Sequence, residues 1–223
     1  MSDKDAIAAV AALGDPHRRR LYRFVAAQDH AVGRDEAAEG VGASRSAAAF
    51  HLDRLVDDGL LETEFRRLTG RQGPGAGRPA KLYRRTRGEI SLSLPARQYE
   101  LAARLLAAAV TEASLQGTPV DVALDRLARR RGADTAGALE RHTAESAVNA
   151  LAAEGYEPRA ADGEIVLANC PFSGIVADHA VLVCGMNLAL LEGFSEALPG
   201  VGLRARRLPT AGACCVRLAT GPG

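Results

Sequence analysis

Three glycines, Gly33, Gly42 and Gly59, cut residues 16 to 59 into three short segments, each with a helical pattern of its own. The first, PHRRRLYRFVAAQ, has Asp15 ahead of it as a helix cap and Pro16 in its first turn, where a missing N–H costs nothing. Leu21, Phe24 and Val25 then recur at helical spacing. The second, RDEAAEGV, offers Ala37, Ala38 and Val41 for packing. The third, RSAAAFHLDRLVDDG, is capped by Ser44, carries Ala48, Leu52, Leu55 and Val56 on its inner stripe and ends at Gly59. Two helices joined by a tight glycine turn, the second short of bulk at its first turn, form a helix-turn-helix pattern.

Beyond Gly59 the period changes. LLETEFRRL and AKLYRRT are strand candidates on either side of the Gly/Pro-rich TGRQGPGAGRP, which predicts a hairpin with a long tip, or wing. The formal net charge of the 223 residues is only +1, so charge has to be read locally. From residue 66 to 87 the basic residues are Arg66, Arg67, Arg71, Arg78, Lys81, Arg84, Arg85 and Arg87, with no Asp or Glu among them. Directly after a helix-turn-helix, such a block serves to neutralise the phosphates of double-stranded DNA. On the groove side of the third helix stand Arg45, Ser46, Ala47, Ala49 and Arg54, while Phe50 is expected to pack under the wing and His51 among the helices. Arg45 is the candidate base reader, because a guanidinium bonds two acceptors of guanine at once. The glycines of GPGAGRP do not form a phosphate loop, since no Gly-Lys-Ser/Thr ending follows them.

Helix, helix, helix, strand, wing, strand is the order of a winged helix, and residues 6 to about 90 resemble the ArsR-like bacterial regulators. GASRSAAAFHLDRLVDDGLLE is similar to their recognition helix and its exit into the wing, and GRPAKLYRRT to their second wing strand. The resemblance implies a DNA-binding transcriptional regulator, more often a repressor, and not an enzyme.

PARQYELAARLLAAAVTEASLQG predicts a long helix from Pro95 to Gly117 with Leu101, Leu105, Leu106, Ala109 and Val110 at helical spacing. Palindromic operators need two-fold proteins, so this stripe is expected to pair with its own copy in a homodimer; packing against the rest of the same chain is the alternative. PVDVALDRLARRRGADTAG and TAESAVNALAAEG are two further helices, with Arg129 to Arg131 expected as a solvated helix end. After Gly155 come a hairpin around Asp162-Gly163, a helix DHAVLVCGMNLALLEGFSEAL and two strands, LRARRLP and GACCVRLAT. The fold class expected is α+β: a winged helix-turn-helix at 1–92, central dimerisation helices at 93–145 and a small α+β sensor domain at 146–223.

Four cysteines in a chain of this size argue against a disulfide framework. Cys170 is expected to end a strand, Cys184 to lie on the helix with His179 near its start, and Cys214 and Cys215 on the last strand. None has the Cys-x-x-Cys spacing of a zinc ribbon, so spacing leaves two readings open, a shared metal or cluster site and buried structural thiols. GYEPRAADGEIVLANCPF, HAVLVCGMNLALLEG and GACCVRL resemble the C-terminal domain of iron-sulfur-dependent repressors of the SufR type, which join it to an ArsR-like winged helix. The resemblance implies a cluster, 4Fe-4S, held by Cys170, Cys184 and one of Cys214 or Cys215. Strand alternation puts Cys214 on the side of Val216 and Leu218, which favours Cys214. His179 is the candidate for a fourth ligand. This sequence departs from the family pattern at Ser173, where a histidine is common after NCPF. Zinc, a small organic ligand and thiol oxidation are the alternative signals. A thiol enzyme is not supported, because no nucleophile is paired with a base.

The N-terminus, with Asp3 and Asp5 and no long apolar core, does not read as a signal peptide. The run AVLVCGMNLALL falls short of the ~20 residues that cross a bilayer. The expectation is a soluble, cytoplasmic protein without a membrane partner.

Overall fold

The structure, a computed structural model, describes residues 3–67, 79–161, 163–209 and 212–220. Arg71 and Arg78 of the expected wing lie outside the described residues. The chain divides into two compact units, 1–92 and 93–223.

Unit 1–92 contains α1 (Asp3–Ala12), α2 (Pro16–Ala26), β1 (Val32–Gly33), α3 (Arg34–Val41), α4 (Arg45–Asp57), β2 (Leu61–Arg66) and β3 (Ala80–Arg85). The helix boundaries follow from local chemistry. Asp15 accepts hydrogen bonds from the backbone N–H groups of His17 and Arg18 at 2.8 and 2.9 Å, which satisfies two donors that the first turn of α2 leaves open. Gly42 closes α3 in the left-handed region at φ 66°, where a Cβ would be strained. Ser44 Oγ then accepts from Ala47 N at 3.2 Å and starts α4. The sheet order is β1-β3-β2, antiparallel throughout, with Leu61 opposite Arg85 and Arg66 opposite Ala80. Leu21, Val25, Ala37, Ala48, Leu52, Leu55, Leu61 and Tyr83 meet in its core.

Unit 93–223 contains α5 (Tyr99–Gln116), α6 (Val120–Gly137), α7 (Ala144–Ala153), β4 (Pro158–Ala161), β5 (Glu164–Leu167), α8 (Ser173–Glu196), β6 (Leu203–Arg207) and β7 (Val216–Thr220). Its antiparallel sheet has the order β4-β5-β7-β6. Helix α8 packs against α6 so closely that two glycines are needed. A Cβ on Gly132 would lie 1.9 Å from Leu190 O, and one on Gly193 2.0 Å from Arg129 O. Arg129 pairs across this crossing with Glu192 and Glu196. The arginine run therefore lies within a helix that continues to Gly137, not at a solvated end.

Several expectations are corrected. The helices at 93–145 share one core with the sheet that follows them. Of the stripe expected to pair with a second copy, Leu105 and Ala109 are buried in that core and Leu101 and Leu106 pack against it, while Val110 stays exposed. Helix α5 begins at Tyr99 and not at Pro95, because residues 96–98 are held by bonds to other parts of the unit. Strand β5 ends at Leu167, so Cys170 lies in the loop beyond it, and β7 begins at Val216, so Cys214 and Cys215 precede it. Cys214 N donates to Leu167 O and Leu208 N to Cys215 O, at 2.9 and 2.8 Å, which anchors this pre-strand segment. Helix α8 starts earlier than expected and by length and composition is long enough to cross a bilayer. Its Val183, Met186, Leu190, Leu191 and Phe194 are instead spent in the core of the unit.

Candidate DNA interface and thiol cluster

In unit 1–92 the inner positions of α4 are occupied by Ala48, Leu52 and Leu55, which turns Arg45, Ser46, Phe50, Asp53 and Arg54 outward, with Ala47 and Ala49 half-buried between them. Phe50 is 68 % exposed, its ring edge against His51. It is not packed away, because the helical period puts position 50 opposite the 48/52/55 stripe. His51 is half-buried and stacks on His17 at 5.8 Å, as a packing residue would.

The basic block is partly matched by acids from neighbouring elements, which a scan of residues 66 to 87 alone does not reveal. Lys81 Nζ donates to Asp53 Oδ1 at 2.6 Å, and Tyr83 OH donates to the same oxygen at 2.7 Å, which ties β3 to α4. Burial opposes ionisation of Asp53, yet the Lys81 and Tyr83 bonds outweigh it and hold the carboxyl below its ordinary value. Arg84 pairs with Glu62 at 2.8 Å and Arg66 with Glu64 at 3.8 Å, while Arg67 is exposed. On α4, Arg54 pairs with Asp58 at 3.3 Å and Arg45 with Asp35 at 2.6 Å. The Arg45–Asp35 pair is solvent-exposed on both sides, so exchanging Asp35 for a base edge costs little.

In unit 93–223 the four cysteines come together. Cys170 arrives from the loop before α8, Cys184 from α8 itself, and Cys214 and Cys215 from the segment before β7. Neighbouring thiols perturb one another in a chain: Cys170 with Cys214, Cys214 with Cys215, and Cys215 with Cys184. Their acidities diverge. The bond from Cys214 draws the Cys215 thiol down to about 6 against the opposing effect of burial, with help from Cys184 and the charge of Arg207. Its bond with Cys214 likewise lowers Cys170, assisted by the Phe172 amide and the charge of Arg97. Burial pushes the Cys184 thiol up to about 12. Cys214, placed between Cys170 and Cys215 and almost wholly buried, is pushed up furthest, so both it and Cys184 keep their protons.

A buried polar chain ends on the sulfur of Cys214. Tyr156 OH donates to Asn187 Oδ1 at 2.6 Å, and Asn187 Nδ2 donates to Cys214 Sγ at 3.1 Å. Asn187 interrupts an otherwise apolar helix sequence, which was the one signal of its role legible in advance. Nothing local marked Tyr156, Arg97 or Arg207. His179 is exposed, at a break in α8 where its backbone leaves the helical region at φ −133°, ψ 39°. Among the described residues, no three His, Cys, Asp or Glu side chains converge to hold one metal ion.

Residues 13–64 match a family described as a helix-turn-helix domain. No curated protein and no solved structure matches the chain. With the two wing strands following it, the helix-turn-helix makes residues 1–92 the DNA-binding part of a transcriptional regulator.

Proposed function

We propose that the chain is a repressor that binds a palindromic operator as a homodimer in the cytoplasm and is controlled by a redox-sensitive iron-sulfur cluster in residues 93–223. The observation that carries the reading is the meeting of Cys170, Cys184, Cys214 and Cys215, brought from three separate segments into one group, with Cys184 and Cys214 buried and Cys170 and Cys215 half-buried. The donor chemistry fits a cluster. Cys170 and Cys215 are drawn toward the thiolate that ligation requires, and Cys184 gives up its proton on ligation, since metal binding drives thiol deprotonation. The charge of Arg207 beside Cys184 and Cys215 offsets their negative charge. Cys170, Cys184 and Cys215 would hold a 4Fe-4S cluster, with Cys214, the most buried of the four, behind them in the core. When bound, such a cluster supplies a centre that oxidation or iron loss destroys. Buried Phe172 and Val183 limit solvent access around the thiols.

The experiment is an ultraviolet-visible spectrum of protein purified without oxygen, with iron, sulfide and zinc counted on the same sample. Broad absorption near 400 nm with equal iron and sulfide, lost in Cys170→Ser and Cys215→Ser but retained in Cys214→Ser, supports the assignment. Colourless protein carrying zinc refutes the cluster. Operator affinity that is the same with and without the cluster refutes the regulatory role.

A further inference from the structure

Residues 86–98, between β3 and α5, contain neither helix nor strand, and they carry the chain from the DNA-binding unit into unit 93–223. Their last residues are stitched to the loop that presents Cys170. Arg97 Nη1 donates to Asn169 Oδ1 at 2.5 Å and to the Cys170 carbonyl at 3.3 Å. Asn169 Nδ2 returns a bond to Ala96 O at 3.0 Å and reaches Gly155 O at 2.6 Å. Gln98 N donates to Pro171 O at 3.0 Å, and Gly174 N to the Tyr99 hydroxyl at 3.2 Å. Gly155, at φ +86°, lets the backbones close up, since a Cβ there would come within 2.9 Å of Ala96 Cβ.

Asn169 is the centre of this arrangement. It is only 8 % exposed, and its side chain uses both its donor and its acceptor to join three segments. A buried amide with all its partners fixed has few alternative positions, because each lost bond leaves an unsatisfied polar group. The carbonyls of Cys170 and Pro171 are themselves the acceptors for Arg97 and Gln98. A displacement of the loop backbone at Cys170 therefore acts directly on the bonds that hold 96–98.

We propose that Arg97 and Asn169 form a latch through which the state of Cys170 sets how firmly the connecting segment 93–98 is held, and thereby alters DNA binding. The inference rests on the reading that the thiol cluster is regulatory, and it adds the residues that relay its state. Both act as positioning residues. Coupling of this kind changes affinity by about 5- to 150-fold in typical cases.

The test is amide hydrogen exchange on the full chain, metal-free and after anaerobic reconstitution with iron and sulfide, for the wild type, Arg97→Lys and Asn169→Ala. Lysine keeps the charge but loses the forked donor geometry. In the wild type, exchange across 93–99 should differ by about tenfold or more between the two forms, in keeping with that coupling range. In Arg97→Lys it should be fast in both, while iron uptake and the protection of α8 stay unchanged, which separates loss of the latch from misfolding. Affinity for a duplex selected from a random library should then cease to depend on reconstitution. A segment that still switches with wild-type amplitude in both variants overturns the latch. If the wild type takes up no iron and sulfide, the cluster reading fails, and the latch is judged on the metal-free chain with Cys170→Glu. Faster exchange at 93–99 that Arg97→Lys does not increase further upholds it, and unchanged exchange there refutes it.

Discussion

Gly193→Ala sets two physical effects of opposite sign against each other on one helix. By helix propensity the change is favourable, since alanine in a helix interior is worth about 1 kcal/mol over glycine. The tertiary structure opposes it. The new Cβ would lie 2.0 Å from Arg129 O, 2.7 Å from Arg129 C and 2.8 Å from its Cα, where ordinary contact begins at 3.4 Å. The obstacle is backbone, so it cannot rotate away. Helices α6 and α8 would have to separate by more than 1 Å at their crossing, loosening Ala128, Leu190, Leu191 and Phe194 around it. Overpacking of this kind costs typically 1–3 kcal/mol and sometimes more. A rigid backbone neighbour puts it at the upper end, which leaves a net loss of about 2 kcal/mol after the propensity gain. For a unit of this size that is a fall in Tm of roughly 5–10 °C. Gly185→Ala, on the same helix but with nothing within 4 Å of the added methyl, should instead gain up to about 1 kcal/mol. Scanning calorimetry on the full chain checks both, reading the transition of unit 93–223 apart from that of unit 1–92. A neutral or stabilising Gly193→Ala, or a Gly185→Ala that destabilises as much as Gly193→Ala, would refute the reasoning.

Tyr156→Phe removes the only donor shown to Asn187 Oδ1 among the described residues and should cost unit 93–223 about 1–3 kcal/mol, measured by urea unfolding; an unchanged midpoint would mean that the chain Tyr156–Asn187–Cys214 is not needed for stability. Arg45→Ala should lose about 1–3 kcal/mol of discrimination at one guanine of the selected duplex, read by fluorescence anisotropy on point-substituted sites, whereas Asp35→Ala should leave that discrimination in place. Asp53 has its pKa below the ordinary 3.8 in the folded unit, so its contribution is present above that value and is lost as pH falls through the lowered one. The stability of unit 1–92 should therefore drop with acid below about pH 4, and Asp53→Asn should flatten that part of the curve; equal acid sensitivity in the two proteins would show that other carboxylates control it.

The helix-turn-helix was legible because its determinants lie within a few residues of one another. Asp15 caps the two N–H groups that follow it, Gly42 supplies one left-handed residue, and Ser44 starts α4, all without help from distant parts of the chain. The buried stripe Ala48, Leu52, Leu55 follows from a period of 3.6, and the same period dictates that Phe50 points away from it. The acids that meet the basic hairpin, Asp53 and Glu62, were present in the sequence but became its partners only through the packing of α4 and the register of β2 with β3.

In unit 93–223 the balance shifts. Sequence alone determined the candidate thiols, the hairpin turn at Gly163 and an apolar helix interrupted by Asn187. It also marked helices in the segments 119–137 and 143–155, which the structure has at 120–137 and 144–153. Only the tertiary structure decided that α5 spends much of its stripe inside the unit, that residues 96–98 ahead of it are tied to Asn169 and Pro171, and that His179 stands exposed at a break in α8. The acidity of Cys215 and the retained proton of Cys214 were decided there too. The physical reason is range. A cap or a stripe is set by neighbours one or two turns away, whereas a thiol's acidity depends on which dipoles and charges packing brings within a few ångströms, and residues far apart in the chain supply them.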